Sequence, residues 1–298
     1  MFADSPNRIM KKFPSLLLSW IVFIACCSAQ DLIKTKNQEY RGKIKSADGK
    51  SVMIEIPGQG SIAVSRSIIL DLKMQPPQGI LQGIAAYKKG NYKQAQIDLA
   101  KIITQFPGLD TDWAAEGIDC YGRSCLMAGD LANAAKAFTI FLDSYDNAHP
   151  LAMDAEIGLA ETDAAGQNFE KALPKFQELA AEFEKQVKPP NEQIPYAAAA
   201  FLGLGKCLEA QNDLQGALDA YLKVAALYPA ANAMPETLYR LAALYDRQDK
   251  PKDAFTYLKD LTSQYPTSSY SQKAAELKKK IEPLLAEKKA KAPSDAEK

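Results

Sequence analysis

GKCLEAQNDLQGALDAYLKVAALYP, residues Gly205 to Pro229, decides the fold. Counted from Ala217, large apolar residues stand four and seven places on (Tyr221, Val224), and an aromatic stands eleven on (Tyr228). Those offsets put the side chains on one face of an α-helix. Pro229 then stops that helix, because proline has no N–H to give it. Twelve residues before Ala217 stands Gly205. Small residues at these two places let a preceding helix lie close against the one that Ala217 opens.

The same grammar recurs along the chain. Alanines stand at Ala95, Ala134, Ala172, Ala217 and Ala254, in steps of 39, 38, 45 and 37 residues. Four places on come Leu99, Phe138, Phe176, Tyr221 and Leu258; seven on come Ile102, Phe141, Leu179, Val224 and Leu261. Eleven on there is always an aromatic: Phe106, Tyr145, Phe183, Tyr228 and Tyr265. A proline follows in three units (Pro107, Pro229, Pro266), and the small residue twelve before is Gly83, Gly122, Ala160, Gly205 or Ala242. Repetition of helical pairs at such a period is the mark of an α-solenoid.

This pattern resembles the tetratricopeptide repeat (TPR), with an ideal length of about 34 residues. The resemblance spans residues 76–268 and implies about five helical hairpins. The third unit departs most, with Pro174 early in its second helix and Glu184 in place of the terminal proline. The 45-residue step holds Lys185-Gln186-Val187-Lys188-Pro189-Pro190-Asn191, which we place in a lengthened loop between the third and fourth units. Residues 269–289 read as a capping helix, increasingly charged, and residues 290–298 as a disordered tail.

In TPR proteins the first helix of each pair lines a concave surface. Carried over by register, that feature implies a groove lined by Ile80, Ile84, Tyr87, Asp119, Arg123, Ile157, Glu161, Leu202, Lys206 and Tyr239. Apolar and charged contacts alternate there, which suits a partner peptide or helix. The Lys and Asn constellation by which co-chaperone TPRs clamp a C-terminal carboxylate is missing. The Tyr-Pro endings at Tyr228-Pro229 and Tyr265-Pro266 look like those of the periplasmic TPR protein of the Tol-Pal system and of the TPR lipoprotein of the outer-membrane β-barrel assembly machine. That likeness implies a scaffold of the cell envelope with other envelope proteins as partners.

Residues 30–75 read differently. Gly42, Asp48-Gly49 and Gly58-Gln59-Gly60 punctuate four strand candidates: Tyr40 to Lys45, Ser51 to Ile56, Ser61 to Ser65 and Ile68 to Met74. Asp48-Gly49 is a strong hairpin signal. The segment resembles a small SH3-like or Sm-like β-roll. Such rolls also bind copies of themselves, so homo-oligomerisation through this segment is the second functional reading. Pro76-Pro77 closes it and starts the solenoid. The expected fold class is therefore mainly α, a TPR α-solenoid with a capping helix, preceded by the β-roll.

At the start, Arg8, Lys11 and Lys12 precede an apolar run from Leu16 to Ala25, then Cys26-Cys27-Ser28-Ala29. Basic, apolar and small-residue regions in that order form a secretory signal over residues 1–29. The run is shorter than the roughly 20 residues needed to span a bilayer. Phe23-Ile24-Ala25-Cys26 also resembles a lipobox, which would leave a lipid anchor on Cys26, but a Leu usually stands where Phe23 stands. Cleavage after Ala29 fits better. A periplasmic or outer-membrane-associated location follows from either reading.

The chain carries 36 basic and 36 acidic residues. That balance gives no electrostatic footprint for nucleic acid. His149 is the one histidine, so paired-histidine metal or acid–base chemistry is not expected. The glycines of Gly203-Leu204-Gly205 fall within a helix rather than in a phosphate loop, and Glu161 and Asp163, two apart on a helix, point away from each other. Cys120, Cys125 and Cys207 read as small buried apolar residues. No catalytic residues, cofactor or metal are expected.

Overall fold

A computed structural model describes residues 30–186 and 188–291, with side chains to residue 285. The signal, Cys26 and the tail beyond residue 291 lie outside the described residues.

Strands β1 (Asp31–Thr35), β2 (Glu39–Ala47), β3 (Ser51–Ile56), β4 (Gly60–Ser65) and β5 (Ile69–Lys73) form one antiparallel sheet in the order β4-β3-β2-β1-β5. Two irregularities, at Lys34/Thr35 and Ile44/Ser46, interrupt its registers. Bulges of this kind increase twist and bend a strand. The Asp31 carboxylate accepts a hydrogen bond from the Ile44 N–H at 2.8 Å, beside the second irregularity. Gly42 is required by a close approach: a Cβ there would lie 2.1 Å from the Glu55 carbonyl oxygen. Alternation of exposed and buried residues puts Ile33, Ile44, Val52, Ile54 and Val64 in the core. The Asp48 side chain accepts from the N–H groups of Lys50 and Ser51, closing the expected hairpin. Those two bonds hold its pKa below the usual carboxylate value.

One expectation for this segment needs correction. Asp31–Thr35 is a strand absent from the four candidates, whereas the fourth candidate, Ile68 to Met74, is present as β5, shorter by one residue at each end because the 3₁₀ turn Arg66–Ile68 takes in Ile68. The edge strand β5 leaves Leu70 68% exposed.

Helical pairs follow: α1 (Gln78–Lys88) with α2 (Tyr92–Leu99) and its continuation α3 (Ile102–Gln105); α4 (Asp112–Met127) with α5 (Leu131–Ser144); α6 (Ala152–Ala165) with α7 (Phe169–Glu184). The fourth and fifth pairs are α8 (Ile194–Ala210) with α9 (Leu214–Leu227) and α10 (Met234–Arg247) with α11 (Pro251–Gln264). The last helix, α12 (Ser269–Lys291), runs past the expected end of the cap and takes in the first two residues assigned to the tail. Pro174 sits inside α7 without ending it.

The repeat positions explain the packing. All five alanines and all five large residues four places on are fully buried. The small residue twelve before is the place where helices touch: a Cβ on Gly83 would meet Leu99 at 2.5 Å, on Gly122 Phe138 at 2.8 Å, and on Gly205 Tyr221 at 2.3 Å. Phe138 is also gripped from the next unit by Gly158, and Phe176 by Gly203. The aromatic eleven places on reaches back one unit: Tyr145 Oη donates to the Leu109 carbonyl at 2.9 Å, and Tyr265 Oη to that of Pro229 at 3.3 Å.

Each turn within a pair is built alike. The residue five before the alanine is left-handed in every unit: Gly90, Gly129, Gln167, Asn212 and Asp249. The next residue is the N-cap of the second helix, and Asn91, Asp130 and Asp213 there accept from the backbone N–H three residues on. The fifth unit has Lys250 at that place, followed by Pro251 in the first turn.

One continuous buried cluster runs from Ile33 in the sheet to Ala155 in the third unit. At the contact, Trp113 Nε1 donates to the Met74 carbonyl at 3.3 Å, and the Arg66 guanidinium reaches the backbone at Gly108.

Candidate partner-binding face

The first helices of the pairs, α1, α4, α6, α8 and α10, carry all ten residues assigned to a groove. The structure divides them. Ile80, Ile84, Ile157, Leu202 and Asp119 are buried at 8% exposure or less. Their expected exposure in a groove is therefore corrected: these aliphatic residues fill the seams between consecutive helices, as Ile80 does against Gly117 of α4. Sequence register fixes which way a side chain points but not how far the next helix advances over it.

Arg123 also differs from expectation. Its Nη1 donates to Glu161 Oε2 at 2.7 Å, and its Nη2 to the Asp154 backbone oxygen at 2.7 Å and to the Asp154 carboxylate. Its side chain is 17% exposed and lies over the Phe138 ring at 5.7 Å. Burial alone would lower its pKa, but Glu161, Asp154 and Asp119 outweigh that and raise it. Asp119 Oδ1 is 3.9 Å from Arg123 Nε and accepts no hydrogen bond. Burial first, then the neighbouring Asp154 carboxylate, push Asp119 up to about 8, so it holds a proton at neutral pH. Tyr87, half-buried beside this cluster, is pushed up to about 12 by burial and then by Asp119.

The face opens farther along, around the fourth and fifth units. Lys206 Nζ lies 3.4 Å from Glu236, and Arg240 bridges Glu236 at 2.8 Å and Glu209 at 3.1 Å. Tyr221 Oη donates to Glu209 at 3.0 Å. Burial would raise the Glu236 pKa, yet Lys206 and Arg240 prevail and lower it. Arg247 makes only long contacts, 3.5 Å to Glu209 and 3.4 Å to Asn212. Lys206, Glu209, Arg240 and Arg247 line a cavity of about 320 Å³ with Ala164 and Phe169 as its apolar wall. Tyr239 stands beside Tyr270 of α12, ring centroids 5.8 Å apart.

Glu209, Glu236, Arg240, Arg247 and Asp154 take part in this face and were not among the expected residues. Arg240 and Arg247 lie seven apart on α10, two turns on one face, a spacing that was available in the sequence. Phe169, from a second helix, was not legible from first-helix register at all. Among the described residues there is no group of acidic, histidine or cysteine side chains arranged to hold a metal ion, and no helix long and apolar enough to cross a membrane.

Two family models described as tetratricopeptide repeat match the chain, one at residues 122–187 and 165–232 and the other at residues 81–108 and 236–268. Curated proteins give no match. Among solved structures, TTC0263, a thermophilic TPR protein of Thermus thermophilus, is 16% identical with a TM-score of 0.50, over 67% of this chain and 96% of that one. The apo form of RapI is 13% identical with a TM-score of 0.50, over 70% of this chain and 63% of that one. At such identities the likeness concerns the fold alone. The repeat register, the buried helix contacts and the two repeat models agree, and the chain belongs to the tetratricopeptide-repeat family.

Proposed function

We propose that this protein is a non-catalytic scaffold of the bacterial cell envelope that holds a peptide or helix of another envelope protein on the first-helix face of its fourth and fifth units. One observation carries the reading: Lys206, Arg240 and Arg247 converge on a cavity with an apolar wall while Glu209 and Glu236 supply only two opposing charges. A partner that offers an acidic side chain beside an aliphatic one complements that site. Solenoid curvature gives an extended surface of this kind its ordinary use, which is protein binding.

The test is capture of envelope proteins by the mature chain and by Lys206→Glu with Arg247→Glu. Arg247 is 44% exposed and held by long contacts alone, whereas a carboxylate in place of Lys206 would face Glu236, which Lys206 meets at 3.4 Å, so the variant melts somewhat lower and capture is compared well below its melting temperature. Capture falls by about tenfold or more if the contacts are made. Unchanged capture at the same salt concentration would remove binding from this face. Export is tested separately: fractionation of cells carrying the tagged full chain places it in the envelope, and a cytosolic signal overturns that part.

Self-assembly through the β-roll is the second reading. Strands β4 and β5 stand at the sheet edges, and β4 carries no charged residue to discourage edge pairing. A monomeric mass for the mature protein at high concentration would dismiss it.

A further inference from the structure

The step between the third and fourth alanines, 45 residues, exceeds the others, and its added length follows α7. That loop buries Pro189 and walls a cavity of about 610 Å³ on the second-helix side, between the ends of α7 and α9. Phe183, Phe201 and Tyr228 form its floor, with the Phe201 and Tyr228 rings stacked 6.1 Å apart. Lys223 lies over Phe201 at 5.4 Å and pairs with Glu184.

Two departures from the repeat meet at this cavity. Ten places after the alanine, where the other units have Gln105, Ser144, Glu182 and Gln264, the fourth has Leu227, 61% exposed at the cavity wall. Four places before the small residue, where the others have Gly79, Ile118, Glu156 and Leu238, it has Phe201. A solvated position turned apolar, above an aromatic floor and beside an inserted loop, is not explained by packing within the chain. The loop's Lys185 and Lys188 are exposed and form no ion pair among the described residues.

We infer that this cavity is a second docking site, separate from the first-helix face, for an extended segment of another protein that presents a large apolar side chain flanked by acidic residues. The apolar side chain covers Leu227 and enters over Phe201, and the flanking carboxylates meet Lys185 and Lys188. The volume is within the usual range for a site that encloses a bulky group.

The probe is a fluorescein-labelled peptide with a Leu-Phe core between aspartates, and its counterpart with lysines, titrated against the full chain by anisotropy. The acidic peptide is expected to bind and the lysine peptide not. Leu227→Asp and Lys188→Glu, both on exposed side chains, each weaken binding about tenfold or more, whereas Lys93→Glu, exposed on α2 of the first unit, leaves it unchanged. Equal binding of both peptides, binding that survives Leu227→Asp in a variant of unchanged melting temperature, or no binding up to about 1 mM overturns the inference. So does loss of self-association in Leu227→Asp without peptide binding, which would make the cavity a contact between copies of this chain.

Discussion

Arg123 of α4 and Glu161 of α6 meet through a 2.7 Å charge-assisted hydrogen bond within a pair of helices from consecutive units. The pair is largely shielded from water, and Asp154 shares the same guanidinium. Removing the cation alone strands two carboxylates in that setting.

Arg123→Ala should therefore cost about 3–5 kcal/mol of stability, as breaking one side of a buried pair does. Urea denaturation monitored by helical ellipticity measures it. A loss under about 1 kcal/mol, the value of an exposed pair, would show that water reaches the cluster.

The proton on Asp119 makes stability depend on pH. Its folded pKa of about 8 stands above the ordinary aspartate value of 3.8, so between those values the native state binds a proton that the unfolded chain has released. Stability from this group falls as pH rises through that window and levels off above about 8. Asp119→Asn keeps the shape and cannot titrate, so it should flatten the decline and melt above the parent at alkaline pH. Asp154, Arg123, Glu116 and Tyr87 face the same group and remain in the variant. Parallel melting curves against pH for the two proteins would refute the assignment.

At Gly205 even one methyl is too much. Its added Cβ would stand 2.3 Å from the ring of Tyr221, which is fixed at its far end by Glu209. Gly205→Ala should cost about 1–3 kcal/mol, while Gly49→Ala, in open space, leaves the melting temperature alone. Equal effects of the two substitutions would mean that the helices adjust freely.

Lys250 marks a missing cap. Asn at this place, as at Asn91, supplies the acceptor for the first turn of α11 at the loss of a lysine–Tyr245 contact of 5.7 Å. The balance favours Lys250→Asn by about 0.5–1 kcal/mol. A drop in melting temperature would show that Pro251 alone organises that turn.

The solenoid was readable because its signal is redundant. Ala217, Tyr221 and Gly205 each specify little, but five copies at one spacing specify helix pairs and their contacts. Asp31–Thr35 carried no such redundancy: five residues with two apolar ones become a strand only because β2 and β5 pair on either side. The face was half legible. Register placed Lys206 and Tyr239 on it, but whether Arg123 is free or held depends on Asp154 and Glu161, 31 and 38 residues away.

The ionic ties between consecutive first helices give the molecule an uneven mechanical character. Lys88–Glu116 joins the first unit to the second, Arg123 the second to the third, Lys206 and Arg240 the fourth to the fifth, and Lys280–Asp246 the fifth to the cap. Among the described residues no such tie joins α6 to α8; the third and fourth units share only Lys223–Glu184 on the other side. The third-to-fourth step is thus held by packing, with Phe176 of α7 set against Gly203 of α8, while the other steps add charge to their packing. Salt should separate the two kinds of seam: amide exchange in the facing turns of α1 and α4 quickens as salt concentration rises while that in α7 and α8 does not, and a uniform response would show that the ionic ties carry no weight.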